Sequence, residues 1–222
     1  LHEAGGYRLK FPRGPMREVM IVNTGGGLAG GDQLRFDLEL NARAKAILST
    51  QSAEKIYRAD TKTADVNFDF KIHDCAELFW LPQESIIFDG AMFRRQMQIS
   101  LPQSARFAAF EAFVFGRQAM GEMVHKAHIR DDWMIRRDGR LVFAERMRLT
   151  GDLANRLSRP ALGHDARMTA TFLYVAPDAE GRLDEVRSLL DSYHGFWGAS
   201  AWNGLLCVRF LDCDPSRLRQ HA

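Results

Sequence analysis

Glu18-Val-Met-Ile-Val-Asn-Thr-Gly-Gly-Gly-Leu-Ala-Gly-Gly-Asp32, followed by Gln33-Leu-Arg-Phe-Asp-Leu-Glu-Leu40, decides how the chain is read. Val19 to Val22 is a short run of β-formers. Gly25, Gly27 and Gly30 then satisfy G-x-G-x-x-G, half of a dinucleotide-binding fingerprint. The other half fails, because that turn must open a helix whose N-terminus holds the pyrophosphate. Here Leu34, Phe36, Leu38 and Leu40 alternate with Arg35, Asp37 and Glu39, the period of a half-buried strand. No Gly-Lys-Ser/Thr follows, so a Walker loop fails as well. The stretch reads as strand, glycine turn and strand, an opening hairpin closed by Asp32. On spacing alone a structural turn is the favoured reading, with phosphate or nucleotide binding on the Gly25–Gly31 turn as the alternative.

The same pattern recurs outward. Ala46 and Leu48 continue an alternation, and Val66, Phe68, Phe70 and Ile72 share one face. Glu77–Leu81 and Ser85–Phe88 read as buried strands, the second closed by the turn pair Asp89-Gly90. Met97, Ile99 and Leu101 alternate with Gln96, Gln98 and Ser100. Phe107 to Phe115 is apolar enough to be central, and Trp133 to Phe143 reads as a hairpin around Asp138-Gly139. After Pro160 come strands at Thr169–Val175 and Leu205–Leu211. A helix over 178–194 is predicted with Asp178 as its cap, and another after Asp214-Pro215. The expectation is a mainly β fold with sheet-on-sheet packing and two late helices. No sequence repeat is visible.

Length and composition narrow the classes. The 222 residues suffice for one large domain or two small ones. Lys+Arg exceed Asp+Glu by 30 − 28 = 2, and no basic run with interleaved aromatics points to nucleic acid. No apolar stretch approaches the ~20 residues of a membrane helix. Cys75, Cys207 and Cys213 form no C-x-x-C, and an odd number without a framework suggests a reducing, cytosolic setting. No signal peptide is visible at Leu1, where an initiator Met is also absent.

Four polar clusters stand out. Thr50 to Arg58 gathers Gln51, Lys55, Tyr57 and Arg58; on a strand, Lys55, Tyr57 and Ala59 would share a face, and a solvated edge strand is the plainer reading. Leu81 to Gly90 carries Gln83, Glu84 and Asp89, which suit acid–base work or a cation but are more often turn residues. Gly116-Arg117-Gln-Ala-Met-Gly121-Glu122 precedes His125, His128, Asp131 and Asp132. The two histidines share a face only on a helix, so surface positions are favoured for each. His73-Asp74-Cys75 offers three donor types, but adjacent residues do not easily converge on one ion. No G-x-S-x-G or H-E-x-x-H appears.

Taken together, these clusters resemble one family. Asn23-Thr24-Gly25-Gly26-Gly27-Leu28-Ala29-Gly30-Gly31-Asp32 looks like its opening motif. Thr50-Gln51 with Lys55-Ile-Tyr57-Arg58, Trp80-Leu-Pro-Gln83-Glu84 through Phe88-Asp89-Gly90, and Gly116-Arg117 with Ala119-Met-Gly121-Glu122 follow in order. Arg136-Arg137-Asp-Gly139 is a further match. The resemblance is to the urease accessory protein D family, called H in some bacteria, and runs from about Arg17 to Leu211. It implies a layered, helical arrangement of β-strands, one domain over 1–222 that lacks the family's extreme N-terminus and C-terminal helix and tail, and a cytoplasmic, non-catalytic role. Family members act as a chaperone in maturation of the nickel enzyme urease. They bind apo-urease on one side and the F-type accessory protein on the other, and reach the G-type GTPase through that partner. Nickel(II) passes in transit through a tunnel, with no cofactor tightly bound. A transit route needs donors that hold an ion weakly at several points. The conduit candidates on this reading are Asp32, Glu84, Asp89, Glu111, Glu122 and Glu145. Arg117 and Arg137 are expected to pair with carboxylates such as Glu84 or Asp89 and to hold the walls together.

Overall fold

The computed structural model of the chain describes residues 2–117 and 120–219. In chain order its strands are β1 (Tyr7–Lys10), β2 (Arg17–Asn23), β3 (Gln33–Leu40), β4 (Lys45–Thr50), β5 (Glu54–Ile56), β6 (Ala64–Ile72), β7 (Glu77–Leu81) and β8 (Ser85–Ile87). They continue as β9 (Met92–Leu101), β10 (Arg106–Phe115), β11 (Lys126–Arg137), β12 (Arg140–Asp152), β13 (Met168–Val175), β14 (Phe196–Trp202) and β15 (Leu205–Asp212). Helices α1 (Leu153–Ser158), α2 (Leu183–Leu190) and α3 (Pro215–Arg219) are short. The larger sheet runs β1-β2-β4-β7-β10-β13-β15-β14, with β5 paired to β8 and β8 to β10; the smaller runs β12-β11-β9-β6-β3.

The glycine stretch is not a hairpin. β2 pairs with β1 and β4, whereas β3 pairs with β6 in the other sheet. The chain therefore steps from one sheet to the other and back, laying β2, β4, β7 and β10 parallel in the larger sheet and β3, β6, β9 and β11 parallel in the smaller. This is the expected layered coil of strands. The coil ends where β12 and β13 turn antiparallel against β11 and β10.

Each strand of the coil has one face towards the opposite sheet, which is why period two runs through the sequence. Between the sheets Phe68 and Phe70 pack on Trp80 with ring centroids 5.0 and 5.6 Å away, and Phe107 closes on Phe70 at 6.5 Å. β10 is apolar on both faces because its outer face, with Ala112 and Val114, is also covered: Leu183, Val186 and Leu190 of α2 pack over it in a second core.

The late helices differ in detail from expectation. Of the predicted 178–194, a 3-10 turn occupies Glu180–Arg182 and α2 follows. Asp178 caps neither, because its carboxylate is taken by Arg106, Tyr174 and Arg182. Asp214 does cap α3, accepting from the Ser216 amide at 2.9 Å. Helix α1 was not expected; Asp152 starts it by accepting from the Asn155 amide at 3.0 Å. The Asp138-Gly139 hairpin is present, with both residues at positive φ, 47° and 78°, as a two-residue turn of that kind requires.

Candidate functional site

Two sides of the coil differ in length of connection. On one side residues 41–44, 73–76 and 102–105 close the coil in four residues each. On the other, four long corners carry the chain from the larger sheet to the smaller: 24–32, 51–63, 82–91 and 116–125. These corners hold the four motifs, and they stack. The Leu28 amide donates to Lys55 O at 2.7 Å and the Tyr57 amide to Leu28 O at 2.9 Å; Phe88 then donates to Ile56 O, and Gly90 to Lys126 O.

Side chains thread the same stack. Tyr57 donates its hydroxyl to Gly26 O at 3.0 Å, its ring meets Phe88 edge-on at 5.1 Å, and the Arg117 guanidinium lies 4.4 Å over Phe88. Gly27 and Gly30 are required by this closeness, since a Cβ would fall 2.7 Å from Lys55 O in one case and 2.7 Å from Lys62 O in the other. Glycine here serves packing between corners, and the turn leads into β3, so no helix N-terminus faces it. Gly31 carries φ 94° and Gly121 φ 68°.

The conduit candidates separate into groups. Asp32 is exposed and accepts from the Ala29 amide at 2.8 Å, closing its own turn. Asp89 accepts from the amides of His125 and Lys126 at 2.7 and 2.9 Å, and Glu122 pairs with Arg117 Nε at 2.7 Å. Burial would raise the Asp89 pKa, but those two amides hold it below the ordinary aspartate range. Glu84 is buried at the foot of the third corner, where its carbonyl accepts from the Glu54 amide. Arg117 and Arg137 do not reach Glu84 or Asp89. Arg117 takes Glu122, five residues along the same corner. Arg137 lies at the short-turn end and donates to Gln103 O and Gly204 O. Lys55, Tyr57 and Ala59 do not share a strand face either, because β5 ends at Ile56. The backbone amide of Gln51 donates to Ile21 O, that of Gln83 donates to the Thr50 hydroxyl, and Thr24 donates its hydroxyl to Gly6 O. Lys55 and Arg58 are exposed. Ala119 of the fourth motif, like Leu1 and Ala222, lies outside the described residues.

Glu111 and Glu145 lie elsewhere, between the sheets, and they come together. β10 pairs with β7 only through Arg106–Ala109 and with β8 only through Phe113–Phe115. Glu111 sits at the gap, where 82–84 leave the ladder. A cavity of about 60 Å³ opens there, lined among others by Tyr7, Asn23, Glu54, Gln83, Arg95 and Glu111; such a volume admits a few waters. At its corner end Glu54 accepts from Tyr7 Oη at 3.1 Å and from Asn23 Nδ2 at 2.7 Å. Burial raises the pKa of Glu54 despite those bonds.

At the other end Glu111 accepts from Trp80 Nε1 at 2.5 Å and from Arg95 Nη1 at 2.6 Å. Arg95 also grips Asp131 through Nε and Nη2, both at 2.8 Å. Burial alone would lower the Arg95 pKa, but the Asp131 and Glu111 carboxylates raise it, so the guanidinium stays charged. Burial pushes the Glu111 carboxyl up, against the pull of Arg95. Beyond this group a second cavity of about 40 Å³ is lined by Glu111, Asp131, Glu145, Thr171 and Arg209. There Glu145 of the smaller sheet forms a two-pronged ion pair with Arg209 of the larger. A line of polar groups thus crosses an apolar core, from Glu54 through Glu111 to Glu145.

Sequence reasoning missed Arg95, Asp131 and Glu54 as members of this line. A signal existed for the first two. Arg95 has the parity of Met97, Ile99 and Leu101, and Asp131 that of Trp133 and Ile135, so each placed a charge on the buried face of its strand.

The comparisons with known proteins agree with one another. The family model described as UreD urease accessory protein matches residues 2–222. A urease accessory protein UreD of Xanthobacter autotrophicus is 47% identical over 223 residues, covering 100% of this chain and 77% of that protein. The UreD proteins of Azorhizobium caulinodans and of a Methylobacterium species are 44% and 42% identical, over 99% and 100% of this chain and 82% and 81% of their own lengths.

Proposed function

The chain belongs to the UreD urease accessory protein family, whose role is in urease maturation, and from that premise we propose that it is a non-enzymatic scaffold through which nickel(II) passes to apo-urease. The observation that carries this reading is the polar line from Glu54 to Glu145, with a cavity on each side of Glu111. Buried charge is expensive in an apolar interior, and a core in which Phe68 and Phe70 pack on Trp80 and Phe107 on Phe70 has no packing need for it. Carboxylates spaced along a hydrated path, none closed into a tight site, suit an ion that must enter and leave. Among the described residues no three His, Cys, Asp or Glu side chains converge to hold a metal.

In this reading one surface meets apo-urease and another the F-type accessory protein, which brings the G-type GTPase, all in the cytoplasm. No described helix is long and apolar enough to cross a membrane. Glu145 and Asp32 are the residues to test, since both are accessible enough to alter without emptying the core. Glu145→Gln and Asp32→Asn, co-expressed with urease and its other accessory proteins, should fold and still assemble, yet yield urease with less nickel per active site. Full nickel loading with both variants would overturn the conduit.

A further inference from the structure

Arg95 stands in the middle of the polar line with 3% of its surface exposed, between Glu111 and Asp131 at 4% and 6%. It lines the corner-side cavity together with Glu111, and Glu111 and Asp131 line the far one. Glu111 is shared by both linings, and the guanidinium, bonded to Glu111 and to Asp131, stands between the two cavities. Its flanks are sealed by rings: Phe113 lies 5.0 Å and Trp133 5.9 Å from the guanidinium carbon. Its two carboxylate contacts are unequal. Asp131, its register partner on the neighbouring strand β11, is held by two hydrogen bonds, and Glu111 on the opposite sheet by one.

We propose that Arg95 is the gate of the passage, and that a divalent cation crosses only by displacing its guanidinium from Glu111. This rests on the conduit reading and adds what keeps the conduit shut. In the closed state the cation's place is taken by a fixed positive charge. With both carboxylates ionised the group carries one net negative charge, so it favours an arriving cation while holding none of its own. Opening breaks a single hydrogen bond to Glu111 and leaves Arg95 anchored on Asp131. Glu111, kept in orientation by Trp80 Nε1, then offers the freed oxygen. A cation held by one or two carboxylates and water is held loosely, which is what passage requires.

The test uses the chain alone, with nickel(II) as the probe and thermal unfolding as the readout. Arg95→Gln removes the fixed charge and leaves Glu111 and Asp131 uncompensated. Its Tm should fall, and nickel at about 100 times its Kd should restore about 5–10 °C. Wild type and Arg95→Gln/Glu111→Gln should show no such rise. Absence of the rise in Arg95→Gln, or an equal rise in the double variant, overturns the gate. If Arg95→Gln does not fold without nickel, Arg95→Lys decides. Lysine is a single point charge that cannot grip both acids, so nickel must raise its Tm above any rise in wild type, and no rise overturns the proposal. Because urease is absent, the outcome is separable from the conduit reading. A nickel-dependent rise with unaltered urease loading in Glu145→Gln and Asp32→Asn would leave the cation-for-arginine exchange standing and remove the conduit. Reduced loading without the rise would do the reverse.

Discussion

The two sides of the coil solve the same problem, crossing from one sheet to the other, with opposite materials. The short side uses four residues and no glycine: Asn41-Ala-Arg-Ala44, His73-Asp-Cys-Ala76 and Pro102-Gln-Ser-Ala105. Each ends in alanine, whose amide returns to the carbonyl of the first residue at 3.1, 3.1 and 3.2 Å. Ala76 and Ala105 are fully buried. The long side spends up to thirteen residues, 51–63, on the same step, and its other three corners carry glycine. If crossing were the only task, the short form would serve throughout. The surplus chain on the long side builds the stacked corners and frames the mouth of the cavity at Glu54. Function is therefore expected on the long side, and plain closure on the short side.

The largest expected effect is at a long-corner glycine. Gly116 has φ 79°, and a Cβ there would fall 2.5 Å from Glu122 O. Gly116→Ala adds backbone strain to a clash with rigid backbone and should destabilise by about 2–6 kcal/mol. Denaturant unfolding measures it. A loss under about 1 kcal/mol would mean that the fourth corner yields, and that the corner stack is softer than its hydrogen bonds suggest.

A smaller effect is expected at Asp89, which ties the third corner to the fourth through two amides. Asp89→Ala leaves both without their acceptor and should cost about 1–3 kcal/mol at neutral pH. An acid whose folded pKa lies below its unfolded value contributes fully above the ordinary 3.8 and loses that contribution as pH falls through the lower folded value. The gap in Tm between wild type and Asp89→Ala should thus be constant from pH 7 to about pH 5 and narrow as the pH falls below 3.8. A gap that stays constant on acidification would show that Asp89 joins the corners by some means other than its charge.

What the sequence disclosed follows from what period two can carry. Alternation at Leu34–Leu40 or Val66–Ile72 fixes which face of a strand is buried, and the structure agrees. It carries no information on the pairing partner, so the Gly25–Gly31 turn reads as a hairpin when its strands in fact part to different sheets. The repeat was equally hidden, because what recurs is a turn ending in alanine, and the remaining positions vary freely. Glu111 and Glu145 carry no distinctive local pattern and enter only through family resemblance, while Arg95 shares the parity of Met97, Ile99 and Leu101 and so sets a charge on an otherwise apolar face. The helix at 178–194 begins late since Asp178, an able cap, is drawn to Arg106 on a distant strand, a contact no local pattern encodes.

The smallest effect sharpens the comparison from the short side. Cys75 occupies the third position of its turn at φ 57°, and Arg43 does so in the preceding turn at φ 62°. Non-glycine residues pay roughly 1–2 kcal/mol for that left-handed conformation. Cys75 is exposed, and the contact that fixes it, its amide to Ser104 Oγ at 3.1 Å, uses backbone only. Cys75→Gly keeps that bond and removes the strain. Glycine also loses more backbone entropy on folding, about 0.5–1 kcal/mol, which offsets part of the gain. The net expectation is a stabilisation of up to about 1 kcal/mol, read as a higher denaturant midpoint at unchanged slope. Cys75→Val should move the other way by about 1 kcal/mol, since a β-branched residue suits that conformation least. A long-corner position that must not lose its glycine and a short-turn position that gains from acquiring one would together show that the two sides are held by different constraints. A destabilised Cys75→Gly would instead mean that the cysteine side chain holds the short turn, and that closure there is less plain than its length implies.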